Sequence, residues 1–175
     1  GCRWGAWLAP MAYPEPHLPA ETASHAWLPT IALTVLVLLS VVPMPVGHGP
    51  LPDIVLIAVY LTSARRSAAV SPAAMFCLGL LHDMLGSTPF GLHALVYVLV
   101  HAAAAQTSRL SRSFLAQWLG FVPCAAIAAG ASWMVISIHY SSVVSPDPIL
   151  SQTLASLLAF PVIALPILWL LGTLH

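Results

Sequence analysis

"GLLHDMLGSTPFGLHAL", residues Gly79–Leu95, places one aspartate, Asp83, between two apolar stretches that meet at a polar turn, Gly86-Ser87-Thr88-Pro89. The chain has only five basic and five acidic residues in 175, so an acid here needs a reason. Hydrophobic residues make up 59% and charged residues 6%, against about 25% charged in an ordinary soluble domain. That apolar content cannot all be hidden inside a soluble domain of this size, and too few charges remain to coat it. The solvent it implies is a lipid bilayer.

There is no lysine, and five arginines balance five acids, so no net charge draws the chain to nucleic acid. Cys2, Cys77 and Cys124 have no motif spacing and are read neither as a disulfide framework nor as a metal site. Residues 1–26 are rich in Pro, His and small residues and lack the basic start and short apolar core of a signal peptide. They are expected to form a loose tail. Residues 27–175 are expected to form one all-α transmembrane domain with no internal repeat.

A helix needs about 20 apolar residues to cross the hydrocarbon core. Pro/Gly punctuation and apolar runs give six spans, at 27–46, 51–64, 68–85, 91–107, 114–138 and 149–174. A Pro/Gly knot over 43–50 separates the first two. The second span is short and must tilt, be sheltered by neighbours or borrow flanking residues. With six spans, Arg3, Arg65, Arg66, Arg109 and Arg112 all fall on one side, together with both termini. That is the positive-inside pattern, so both termini are expected to be cytoplasmic. The turn after Asp83 then faces outward.

An aspartate within a span usually faces the bundle interior. Gly79 and Gly86 lie about one turn either side of Asp83, and small residues at that spacing let a second helix approach closely. On the next span His93, Tyr97 and His101 recur every four residues, and His93 lies at a depth similar to that of Asp83. Two readings stay open. Asp83 contacts His93 across the turn, or it caps loop amides and meets interfacial water. On the first reading Asp83→Asn is tolerated, Asp83→Leu is not, and Gly79→Leu is worst. Asp53, after Pro52, either caps its helix or joins a buried polar cluster, and Asp147 before Pro148 reads as a cap. His48, His82 and His139 read as interfacial side chains.

The chain lacks an H-E-x-x-H zinc motif and a G-x-S-G serine motif. His93 and His101 are eight apart and point roughly 80° from each other, which is poor geometry for one metal. No cofactor and no enzymatic activity are expected.

The pattern of the quoted stretch resembles the rod shape-determining protein MreD family. That family's pattern is a P-D opening a span, a tyrosine further on, then G-x-x-x-D-x-x-x-G-[ST]-x-x-G-x-x-A-L. This chain carries Pro52-Asp53, Tyr60, Gly79, Asp83, Ser87, Thr88, Gly91, Ala94 and Leu95. Gly86 precedes Ser87, a small shift from that pattern. The resemblance covers roughly residues 50–122, with spans five and six alike only in hydropathy. It implies a multi-pass protein of the bacterial inner membrane with a fold like the S-components of vitamin transporters. It also implies a non-enzymatic role in cell elongation. The implied partners are an MreC-like bitopic membrane protein and the RodA and penicillin-binding protein complex, with MreB filaments reached indirectly. The structural or interaction candidates are Asp53, Gly79, Asp83 and Gly91, which lie in the family's pattern, and Gly86, His93 and Tyr97, which come from the helix faces around Asp83. The second reading is a substrate-binding membrane subunit of an energy-coupling-factor vitamin transporter, its outer pocket built from Asp83, Trp133, His139 and Tyr140.

Overall fold

The computed structural model describes residues 28–41, 51–66, 70–86, 88–107 and 113–173. The tail 1–26, the knot at 43–50, Ser87, Arg3, Arg109 and Arg112 lie outside them. Among the described residues there are six helices and no strand. They are α1 Leu28–Ser40, α2 Ile54–Arg66, α3 Pro72–Gly86, α4 Leu92–Thr107, α5 Phe114–His139 and α6 Asp147–Thr173.

Local chemistry sets where these helices begin. Ser71 Oγ accepts from Ala74 N at 3.1 Å, and Pro72 takes the first helical position. That is why α3 starts four residues later than its apolar run. Ser113 caps α5 in the same way, accepting from Ala116 N at 3.3 Å. The start of α6 corrects the sequence reading of Asp147. The Pro146 carbonyl accepts from Leu150 N at 2.9 Å, so Pro146 holds the cap position and Asp147 stands in the first turn. Its carboxylate acts there on the positive end of the helix dipole.

Among the described residues, two helices are long and apolar enough to cross a bilayer by length and composition alone, Phe114–His139 and Asp147–Ile167. The other four have 13 to 16 residues, about 20–24 Å of helix. α2 explains how a short helix is accommodated. Every residue from Val55 to Ser63 is buried, and α1, α4, α5 and α6 all pack against it. A helix apolar all round belongs inside a bundle. At its centre Tyr60 meets Phe121 of α5 (ring centroids 5.3 Å apart) and Phe160 of α6 (6.1 Å). Phe121 and Phe160 stack at 4.8 Å. The Tyr60 hydroxyl donates to the Gln117 carbonyl at 2.9 Å. A Cβ built on Gly120 would lie 2.5 Å from that hydroxyl, so the glycine makes room for the ring.

The outer surface inverts the soluble pattern. On α6, Leu154, Leu158, Val162, Leu165 and Trp169 form one exposed stripe, and α5 exposes Leu115, Leu119 and Met134. Apolar surface this continuous is what contact with lipid tails requires. Among the described residues the acids gather at one end of the bundle, where α2, α4 and α6 begin. Arg65 and Arg66 end α2 at the other.

Candidate functional site

α4 begins without a cap of its own. Gly91 holds the cap position, since its carbonyl accepts from Leu95 N at 3.0 Å, and it has no side chain to bond the free amides of the first turn. Its φ of +91° is one that side chains rarely permit. Asp83, reaching over from α3, supplies the missing cap. Oδ2 accepts from Gly91 N at 2.9 Å, and Oδ1 accepts from His93 N at 3.0 Å. Oδ1 also accepts from Thr88 Oγ1 at 2.9 Å and from His93 Nδ1 at 2.7 Å. The Asp83 side chain is fully buried. Both readings of Asp83 therefore describe the same carboxylate, which meets the His93 imidazole while capping amides. Those amides are the first turn of the neighbouring helix. A carboxylate placed against a helix N-terminus is stabilised by both the hydrogen bonds and the dipole. That is the physical reason for an acid at this point in so apolar a chain.

Gly79 makes the reach possible. A Cβ built there would overlap Cα and N of Ala94 and stand 2.6 Å from the His93 carbonyl carbon. The backbones of α3 and α4 are therefore in direct contact one turn below Asp83. Gly86 plays no part in this approach. It is exposed, and a Cβ on it would meet only His82 and Thr88 at ordinary distances, 3.6 and 4.0 Å. α3 ends at Gly86, beyond the crossing point, so no backbone faces it.

Around the carboxylate the rings are ordered. His82 stacks on His93 with centroids 4.1 Å apart, and its Nδ1 shares a hydrogen bond of 2.5 Å with the hydroxyl of buried Tyr97. The interfacial reading of His82 is thus corrected: the ring leans into the α3–α4 contact. His101 does not continue the row. Its Nδ1 pairs with Ser63 Oγ of α2 at 2.9 Å, because a four-residue step advances about 40° around the helix. Ser63 carried no signal in the sequence.

Asp53 caps α2, its Oδ1 accepting from Leu56 N at 2.9 Å. Its own N–H donates to Ser156 Oγ at 2.8 Å, tying the start of α2 to the third turn of α6. Beside this contact lies a cavity of about 240 Å³, lined by Asp53, Thr88, His93, Gln152 and Ser156 at its polar side and by alanines of α5 at its floor. Trp133, His139 and Tyr140 are not among its lining residues. All three are exposed, and the Trp133 indole donates to the Val144 carbonyl at 2.9 Å instead. No group of three or more His, Cys, Asp or Glu residues suited to a metal ion occurs among the described residues.

A family model described as rod shape-determining protein MreD matches residues 22–167. No curated protein and no solved structure matches the chain.

Proposed function

Because the chain belongs to the rod shape-determining protein MreD family, we propose that it is a non-enzymatic, multi-pass component of the bacterial inner membrane, acting in the machinery of cell elongation. The observation that carries this reading is the extent of the match. It runs from residue 22 to residue 167 and takes in all of α1 to α5 and most of α6. On this reading residues 27–175 are one membrane domain crossed by all six helices, with α2 and α4 packed against α5, α2 also against α6, and α1 and α3 packed against the short helices themselves. Residues 1–26 are a cytoplasmic tail. Both termini and the arginines lie inside, and the end that gathers Asp53, Asp83 and Asp147 faces out. The arrangement is of the S-component kind. The lipid-exposed faces dock an MreC-like bitopic protein and the RodA and penicillin-binding protein complex, and through them MreB filaments. Vitamin uptake has no support, since the aromatic groups it would call on lie outside the cavity.

The test is depletion in the source bacterium, followed by microscopy and complemented by the chain carrying a reporter after His175. Rods should become spheres or lyse, and the complementing fusion should restore rods while its reporter reads cytoplasmic. Rods that keep their shape after clean loss of the protein would overturn the function. A reporter reading outside would overturn the topology.

A further inference from the structure

Two helix N-termini and the first three turns of a third helix line the cavity: α2 at Asp53, α4 at Thr88–His93, and α6 from Ile149 to Ser156. Helix N-termini in membrane proteins often hold anions, because their free N–H groups point at the ligand. Here that capacity is used within the chain. Asp53 takes the amide of Leu56, Asp83 takes those of Gly91 and His93, and Asp147 stands in the first turn of α6. Among the described residues no arginine lines the space, and the chain has no lysine.

What remains open to a ligand is acceptor capacity. Asp53 Oδ2 has no hydrogen bond among the described residues. The Thr153 hydroxyl gives its proton to the Ile149 carbonyl at 2.7 Å, which leaves its lone pairs free. Gln152 adds an amide carbonyl. A site with Asp53 as its carboxylate and further free acceptors beside it suits a ligand that donates hydrogen bonds and carries positive charge. Among the described residues the lining has no Phe, Tyr or Trp, so none of them forms the aromatic cage that quaternary ammonium groups require. One oxygen of Asp53 is already engaged, so the two-pronged pairing that favours guanidinium is not on offer either. A primary ammonium, with three donors on one small centre, fits what is left. The volume holds about eight waters' worth of material, enough for a headgroup and less than the roughly 300–1,000 Å³ of drug-sized sites. The apolar floor of Ala125, Ala128 and Ala129 suits a short alkyl arm.

We propose that the cavity between the starts of α2, α4 and α6 binds a primary ammonium group on a short alkyl arm, the chemistry shared by free ethanolamine and the phosphatidylethanolamine headgroup, with Asp53 as its counter-ion. This site is independent of the elongation role.

The full chain, purified in a neutral detergent, is titrated with ethanolamine hydrochloride, choline chloride, short-chain phosphatidylethanolamine and matched phosphatidylglycerol at constant ionic strength. Thermal unfolding is followed. A selective rise on the order of 3 °C is expected at saturation with the primary ammonium ligands and not with the other two. A response to both ethanolamine and its lipid shows that the ammonium group suffices, and a response to the lipid alone assigns the headgroup as the source. Asp53→Asn keeps the helix cap, because Asn caps as well as Asp, and should weaken half-maximal binding at least about tenfold. Ala129→Leu fills the floor without touching a charge and should abolish the selective shift. Equal shifts with choline or phosphatidylglycerol, no shift with any ligand, or an Asp53→Asn chain that binds ethanolamine as well as the parent would each overturn the proposal.

Discussion

Adding one methyl group at Gly79 is the sharpest perturbation this bundle offers. A Cβ there overlaps the backbone of Ala94 and stands 2.6 Å from the His93 carbonyl carbon. A clash with a flexible side chain is relieved by a rotamer change, but here both partners are helix backbone and the helices must separate. Overpacking of this kind costs up to about 3 kcal/mol, or more where nothing can yield. Ala is favoured over Gly in a helix by about 1 kcal/mol, so the net loss in Gly79→Ala is roughly 2 kcal/mol. Gly130 supplies the internal reference, since a Cβ on it meets nothing within 4 Å. Gly130→Ala should gain the propensity and lose nothing. The two variants should therefore differ by about 3 kcal/mol, with propensity cancelling. Gly86→Ala, with only ordinary contacts, should fall within about 0.5 kcal/mol of the parent. Gly91→Ala should lose about 1–3 kcal/mol through its backbone conformation rather than through contact. The assay is reversible unfolding in mixed micelles on a denaturing-detergent titration, with membrane abundance measured beside it. If Gly79→Ala matches Gly130→Ala within about 0.5 kcal/mol, the direct backbone contact between α3 and α4 is refuted.

Asp83→Leu unpairs the backbone N–H groups of Gly91 and His93, at about 1–3 kcal/mol each when buried, and removes the longer 3.5 Å contact from Ala94 N. With partial relief from water in the adjoining cavity, about 2–4 kcal/mol of stability should be lost. Asp83→Asn should not be as benign as the sequence suggested: both oxygens accept, and an amide NH2 would face a donor, so about 1–2 kcal/mol should go. Unfolding measured on the two variants together checks the order, and equal stability of Asn and parent would refute the two-oxygen geometry. Gly120→Ala should be destabilising in the parent but tolerated in a Tyr60→Phe background, because the atom it meets, the Tyr60 hydroxyl, is then gone. A double-mutant cycle with no coupling between these positions would sink that contact.

The difference between what the sequence disclosed and what it hid follows from how far each signal acts along the chain. Ser71-Pro72, Ser113 and Pro52-Asp53 fix helix starts within three or four residues; of the three, only Pro52-Asp53 stands out as a cap in the sequence, because the apolar run of the third span continues from residue 68 through Ser71-Pro72. The Gly79 contact was legible because a small residue one turn from a buried acid has few other uses in a membrane helix. Gly86 has the same spacing but lies past the crossing, and the crossing point is a property of two helices. Gly120 was missed for the related reason that its partner hydroxyl belongs to Tyr60, on another helix. His82 looked interfacial because it stands near the outer end of its span. It turns inward because His93 offers a ring face and Tyr97 a hydroxyl.

The cap of α4 lies between these cases. Pro89-Phe90-Gly91 contains no Ser, Thr, Asp or Asn, so a helix opening there has no local side-chain acceptor, and of its first amides only that of Leu92 finds a local partner, the Pro89 carbonyl at 3.1 Å. In water such an end is tolerated, because solvent bonds the amides. Within or near a bilayer it is not, so the acceptor has to come from elsewhere in the chain. Asp83 is the acid within reach, eight residues before Gly91 and across the turn from it. The absent cap and the unexplained aspartate are thus one signal split between two helices. Reading either alone gives a costly residue or a defective helix, and reading them together gives a hairpin clasped by a single carboxylate. The same logic bears on the cavity beside it. Once each helix start has been given its own carboxylate, the space between them can no longer serve an anion, and its remaining acceptors define what it can hold.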